Sequence, residues 1–575
     1  HEHPGRPECR VYSLVRLRGA DRPNRLFLTT QGVQMPRGYL LLILHAHLPY
    51  VRHPEFDRFL EERWFFEAVT ETYVPLIKFL DRLRAEGAPF KLTLSVSPPL
   101  ANMMEDPLLR ERCVRHFDTL VELAEREIER TRHWHDVNFL ATMYRNIFED
   151  SRRTFVERCQ TRLVSAFREL AESGHLELMT CAGTHGYLPL LNSEPATVRA
   201  QVLASLHEHQ RIFGSTPAGM WVPECAFYPG LDELLAAAGV RYFVVDSHAV
   251  EHADPRPLFG INAPLYCPSG VAAFGRHPTT SKLVWSNKIG YPADYNYREY
   301  YRDIGYELDQ HYLEPYQYAR GVRTPVGIKY HRITGPGPDK HLYNPDWARD
   351  TAERHARDFV DRCRDQAVRA SSRMPVPAVL VSPYDAELFG HWWFEGPQWI
   401  YYILRELAHG GPLVAGTPGG YLAAHPVQQR AMPAPSSWGR NGYSEHWVNP
   451  RTDFMWRPLH EAAARMTRAV QAYRAGGDSR TADAGSLEER ALCQAGRELM
   501  LAQSSDWPFI ITNGTTEEYA RRRFNEHLHR FHELLNSLEH RNIDAPQLEA
   551  LEYMDAIFPE LDYRLFAPAE GATCA

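Results

Sequence analysis

The 575-residue sequence has nine cysteines, an odd number, and no two of them form a CxxC pair. Scattered thiols argue against a disulfide framework and against a zinc-ribbon site, and they point to reduced cysteines in a cytoplasmic setting. No apolar run reaches membrane-spanning length, and Tyr39–Leu44 is too short for the core of a signal peptide. No membrane partner is expected. A basic surplus is also missing: 64 Lys and Arg stand against 72 Asp and Glu, a net charge of -8 at pH 7. Nucleic acid is therefore not an expected partner. No internal repeat is visible.

Aromatic residues are abundant, with 12 Trp and 29 Tyr. A large core would account for them, and so would carbohydrate, whose flat apolar faces stack on indole and phenol rings. The apolar fraction of 44% and the charged fraction of 24% are those of a globular protein. A chain this long is expected to form two or three domains. Residues 1–34 are Arg-rich and without sustained period, and they read as a poorly ordered extension, with Met35 as the natural start of the folded part. The alternative is an arm in which Leu26–Thr30 pairs with a sheet edge.

From Tyr39 a repeated grammar begins. Tyr39–Leu44 is a continuous apolar run ending in His45-Ala46-His47. Lys91–Val96 ends in Ser97-Pro98, Leu176–Thr180 runs up to Cys181 and His185, and Gly219–Val222 ends at Pro223-Glu224. Tyr242–Val245 ends at Asp246, Ala378–Val381 precedes Asp385, and Leu413–Ala415 precedes Gly416. Helical patterns such as Phe65–Arg84, Pro195–Phe213 and Leu231–Ala238 lie between them. Buried parallel strands with polar C-terminal ends, alternating with helices, suit a β/α barrel or a doubly wound sheet, and about seven strands favour the barrel. His45, His185, Glu224, Asp246 and Asp385 would then gather at the functional edge. The expected division is a catalytic barrel over residues 35–424, with a helical insertion at about 101–160, and a helical domain over 425–575. Gly270–Tyr330 reads as loops over the barrel mouth, and Gly476–Gly485 as a mobile loop.

Two carboxylates sit among aromatics, in Trp221-Val222-Pro223-Glu224 and in Tyr384-Asp385-Ala386-Glu387-Leu388-Phe389-Gly390-His391-Trp392-Trp393. Such surroundings suggest the nucleophile and acid/base of a glycoside hydrolase. Glu224 as nucleophile must be ionised, so a cationic or hydrogen-bonding neighbour such as His or Arg is expected. Desolvation of Asp385 by rings suits a general acid. The structural alternatives are a Glu paired with a barrel arginine and an Asp capping a turn. Glu387 reads as an anchor of the following turn. His45 and His47 also invite a metal-dependent hydrolase, with His185, His248, Asp246 and Asp385 as further ligands. In a sugar site the same histidines would bond hydroxyls. Trp438 and Trp447 lie in a Gly/Asn-rich loop, where exposed indoles suit a glucan and packing is the alternative.

These segments together resemble glycoside hydrolase family 57, and within it the 1,4-α-glucan branching enzymes. His45-Ala46-His47-Leu48-Pro49-Tyr50 is similar to the family's first region and Gly183-Thr184-His185-Gly186-Tyr187 to its second. Trp221–Ala226 is similar to its third and Tyr384–Trp393 to its fourth. Ser504-Ser505-Asp506-Trp507-Pro508-Phe509 resembles the branching-enzyme signature. The resemblance implies an incomplete (β/α)7 barrel with a helical insertion and an all-helical C-terminal domain. It implies retaining, metal-free and cofactor-free cleavage of an α-1,4-glucan such as amylose or glycogen, and transfer to a C6 hydroxyl. Glu224 would be the nucleophile and Asp385 the acid/base. His45, His47, His185, Arg276, Trp285, Trp438, Trp447 and Asp506 would contact substrate. The assembly would be a monomer or small homo-oligomer. Two positions depart from the family. His252 stands where a loop tyrosine is usual, which bears on water exclusion, and Thr515 stands where glutamine is frequent. An α-glucan hydrolase or 4-α-glucanotransferase on the same scaffold is the first rival, and a catalytically weak glucan-binding protein is another.

Overall fold

The computed structural model describes residues 36–286, 289–319, 321–475 and 485–568. The expectations for residues 1–34 and Met35, and nearly all of the Gly476–Gly485 loop, lie outside the described residues.

The strands are β1 (Gly38–Ala46), β2 (Leu92–Val96), β3 (Leu176–Cys181), β4 (Gly219–Trp221), β5 (Tyr242–Val245), β6 (Leu265–Tyr266), β7 (Ala272–Gly275), β8 (Ala378–Asp385), β9 (Leu413–Ala415) and β10 (Gln429–Arg430). Seven of them, β8-β1-β2-β3-β4-β5-β7, are parallel neighbours in that order. A single parallel bridge from Arg276 to Val381 joins the end of β7 back to β8. The ring is an incomplete (β/α)7 barrel. Alternate strand residues explain the unbroken apolar runs. Leu41, Ile43, Met179, Trp221, Val244 and Val381 fill the interior, while Leu40, Leu42 and Leu44 pack outward under the helices.

Two expectations need correction. Leu413–Ala415 is not in the ring, because among the described residues β9 pairs only with the start of β1. Its place is taken by Ala272–Gly275, whose Ala and Gly have weak strand propensity and lie in a Gly-, Pro- and Tyr-rich stretch. Strands also do not end at residue 424, since β10 pairs with β6.

Helices Pro107–Arg130 and His135–Arg153 pack together as the insertion after β2. Asp106 starts the first of them by accepting from the Leu109 N–H at 2.9 Å. The C-terminal helices are Asp453–Ala475, Leu487–Ala502, Asp506–Asn513, Glu517–Glu539 and Ala545–Met554. The seven described cysteines are free thiols. Among the described residues no helix is long and apolar enough to cross a membrane.

Candidate active site

Register builds the site. β1 pairs with β8 from Gly38↔Ala378 through His45↔Asp385, and with β2 through His45↔Ser95. The first-strand histidine thus stands beside Asp385 at the C-terminal end of the barrel. Glu224 follows β4 in a short turn and adopts φ 63°, and His185 after β3 adopts φ 61°. Left-handed backbone in non-glycine residues costs about 1–3 kcal/mol each and is typical of functional sites.

Glu224 is clasped by two neutral donors. The Trp438 indole donates to Oε2 at 2.7 Å and the Ser505 hydroxyl to Oε1 at 3.0 Å. The expected cationic neighbour is not what holds it, since His185 Nδ1 stands off at 3.8 Å and burial pushes that imidazole well below its usual range. The neutral histidines instead form a chain with one consistent direction. Ser95 can donate to His45 Nδ1 (3.2 Å), His45 Nε2–H to His185 Nε2 (3.0 Å), and His185 Nδ1–H to Ser505 Oγ (2.7 Å). The Ser505 proton is then free to point at Glu224.

His47 behaves oppositely. Burial disfavours its charged form, but Asp506 at 3.0 Å raises its pKa overall. As an imidazolium it donates to Asp506 and to Ser97 Oγ (2.8 Å). Its ring stacks on His185 with centroids 3.8 Å apart. Asp506 lies below its ordinary pKa despite burial, because His47 faces it.

Glu224 and Asp385 are both raised to about 7, chiefly by burial, with the Glu224 charge adding to Asp385. Among the described residues the Asp385 side chain accepts no hydrogen bond. The two donors on Glu224 therefore draw the shared negative charge to Glu224 and leave the proton on Asp385 near neutral pH.

The ten residues expected to act in catalysis or to contact substrate line one cleft of about 1,050 Å³, while Asp246 and His248 are not among its lining residues. Arg276 reaches it while donating to Asp246 Oδ2 (3.2 Å) and Ser281 Oγ (2.6 Å), with its guanidinium 5.4 Å from the Trp438 ring. Trp285 is exposed at the rim. Trp438 is fixed because its segment pairs with the one after Glu224: Phe227 bridges Ser436, and the Trp438 N–H donates to the Glu224 carbonyl. The expectation of exposed indoles is corrected for Trp447, which is only 1% exposed and stacks on Tyr187 at 4.4 Å. Gly439 permits this, since a Cβ there would run into the Trp447 ring. His252 is exposed at the end of helix Ser247–Glu251 and does not line the cleft, so that departure from the family pattern lies outside it. Thr515 does line it.

The description "Glycosyl hydrolase family 57" matches residues 41–359, and "1,4-alpha-glucan branching enzyme, C-terminal" matches 458–566. The chain belongs to glycoside hydrolase family 57. A 1,4-alpha-glucan branching enzyme of Thermococcus kodakarensis is 31% identical over 554 residues, spanning 91% of this chain and 77% of that protein. The crystal structure of an alpha-amylase from Thermotoga maritima is similar at a TM-score of 0.86 and 41% identity, covering 93% of this chain and all of that one (100%). A family 57 branching enzyme from Pyrococcus horikoshii superposes at 0.82 with 29% identity, covering 94% and 98%.

Within this family 57 cleft the sequence reading missed a second set of residues. A π-helical turn, Val69–Tyr73, turns both Glu71 and Tyr73 toward the loop after Asp385. Tyr73 donates to Glu387 Oε1, which also accepts from the His47 N–H (3.2 Å). Glu387 is therefore not only a turn anchor: it lines the cleft, and burial raises it to about 7. Glu71 accepts from His391 Nδ1 at 2.6 Å, which holds it ionised against burial. Gly390 (φ 114°) lets the loop approach, since a Cβ there would overlap the Glu71 carbonyl oxygen. The one signal for Ser505 was its place beside Asp506 in the signature.

Proposed function

We propose that this chain is a retaining 1,4-α-glucan branching enzyme. One observation carries the reading. The segment matching the branching-enzyme C-terminal description contributes Ser505 and Asp506, which hydrogen-bond Glu224 and His47 in the barrel.

Glu224 attacks the anomeric carbon of an α-1,4-glucan. Asp385 gives its proton to the departing 4-oxygen as the C1–O4 bond breaks and the C1–Oε ester forms. Asp385, now a carboxylate, takes the proton of an acceptor C6 hydroxyl. That oxygen attacks C1, the ester breaks, and an α-1,6 branch results with Asp385 re-protonated. Trp438 and Ser505 stabilise Glu224 as carboxylate and leaving group. The His47 imidazolium favours the carboxylate forms of Glu224 and Asp385, Asp506 opposes it at Glu224, and His45, His185, Arg276, Trp285 and Trp447 line the glucan path. The cleft is at the upper end of small-molecule pocket sizes, which fits an oligosaccharide. A cytoplasmic setting agrees with the free thiols. The chain divides at about residue 425 into a barrel, which carries the insertion at about 101–160, and a helical domain.

Hydrolysis of α-glucan is the second reading, favoured by the likeness to the Thermotoga alpha-amylase. Incubation with amylose separates the two. Branching gives new chains released by isoamylase, loss of iodine colour and few new reducing ends. Reducing ends produced in step with loss of colour would overturn branching in favour of hydrolysis.

A further inference from the structure

The cleft extends past the carboxyls to a wall that the catalytic account leaves unused. Trp392 follows Asp385 by seven residues in the same loop. Its neighbours Phe389 and Trp393 are buried, yet Trp392 is 51% exposed. The indole is not loose. It stacks on Tyr300 with centroids 4.4 Å apart and planes at 25°. The Tyr300 hydroxyl meets His391 Nε2 at 3.2 Å, and His391 is held by Glu71. A rigid aromatic platform with an open face loses little entropy on binding.

Lys329 adds an independent observation. It is only 3% exposed and lines the same cleft, with Nζ 4.3 Å from the Tyr300 ring centroid. Among the described residues its ammonium makes no hydrogen bond and no ion pair. Burial and the nearby Arg298 hold its pKa below the usual lysine value, and Glu71, Asp303 and Glu67 offset this only in part. The ammonium rests on the Tyr300 ring and lines the cleft, where its N–H donors can meet the hydroxyls of a ligand.

We propose that Trp392, Tyr300 and Lys329 form the acceptor subsite for an α-glucan chain, with the open face of Trp392 carrying a sugar, Tyr300 backing the indole and Lys329 bonding the sugar hydroxyls. The proposal rests on the transferase reading above. The side follows from the chemistry. The leaving chain and the incoming acceptor both exchange a proton with Asp385, so both lie on its side, and the loop that follows Asp385 carries Trp392 into the same cleft. The retained glycosyl group lies with Glu224 and its partner Trp438.

The test uses the full chain with amylose as donor and maltoheptaose with a chemically reduced end as acceptor. Cleavage is followed by loss of iodine colour, and transfer by new glycosidic linkages against new reducing ends. For Trp392→Ala and Lys329→Met the apparent acceptor KM rises roughly tenfold. Reducing ends rise at the expense of transfer. With α-maltosyl fluoride as donor, whose leaving group places no sugar in this subsite, fluoride release without acceptor stays within about twofold of wild type. Lys329→Arg recovers part of the transfer. An equal loss of fluoride release from α-maltosyl fluoride, or an unchanged acceptor KM, would overturn the proposal. If Lys329→Met does not fold, Trp392→Ala, at an exposed indole, decides alone. Transfer is counted whatever linkage forms. A wild type making α-1,4 links overturns the branching reading while the variant comparison still decides the wall, and a wild type that transfers nothing overturns both.

Discussion

Replacing Glu224 by glutamine should abolish turnover and stabilise the protein, but only at alkaline pH. In the folded chain burial lifts this carboxyl from 4.5 to about 7. A group with a raised folded pKa favours the native state fully below its unfolded pKa and loses that contribution as pH rises through the folded one. Wild type should therefore lose stability between about pH 4.5 and 7 as the carboxylate is forced to ionise out of water. A rise of this size corresponds to about 3 kcal/mol. Glutamine has nearly the same shape, can still accept from Trp438, and never ionises. Removing the charge also relieves Asp385, which the Glu224 carboxylate raises. With an unfolding entropy of about 2 cal/mol/K per residue, Glu224→Gln should melt about 2 to 3 °C above wild type at pH 8.5 and within about 1 °C of it at pH 4.5. Calorimetry at the two pH values is the assay. Equal melting temperatures at pH 8.5 would refute burial as the cause of the raised pKa. The same gain at both pH values would assign it to packing.

Activity should follow a bell centred near pH 7. It falls on the acid side as Glu224 is protonated and on the alkaline side as Asp385 loses its proton, both being raised to about 7. Asp385→Asn should remove the alkaline limb together with most of the rate, and a limb that persists would point to Glu387. Ser505→Ala removes one donor from the Glu224 carboxylate and should lower kcat roughly 10- to 100-fold, moving the acid limb upward without unfolding the chain; an unchanged acid limb would deny the hydrogen bond a role. Dialysis against EDTA should leave the rate unaltered. His45, Cys181 and His185 present ligand atoms within 4.8 Å of one another, so a loss restored by zinc would make them a metal centre instead.

Much of the cleft edge was legible because parallel strands buried on both faces are unbroken apolar runs, and the residue after each run is marked. His45, Glu224 and Asp385 were found that way. β7 was not, because Ala272-Ala273-Phe274-Gly275 carries little local signal and is a strand only through its pairing with β5. β9 was misplaced for the converse reason: Leu413–Ala415 looks like a ring strand but pairs only with the start of β1. Ser505 meets Glu224 through docking of the C-terminal helices, Glu71 and Tyr73 meet the loop after Asp385 through a π-helical turn, and Tyr300 and Lys329 come from irregular loops between β7 and β8. A hydrophobic period reveals none of these. The polarity of the Ser95–His45–His185–Ser505 chain likewise exists only once four distant segments meet. His252, where the chain departs from the family pattern, is exposed at the end of helix Ser247–Glu251.

The covalent role of Glu224 is tested most directly by trapping the intermediate. Asp385→Ala supplied with α-maltosyl fluoride, whose leaving group needs no acid, can form the glycosyl ester but lacks the base to resolve it quickly. Peptide mass spectrometry should find the maltosyl group on the peptide carrying Glu224. Its presence on the peptide carrying Glu387 instead, or its absence while fluoride is still released with inversion, would contradict the account.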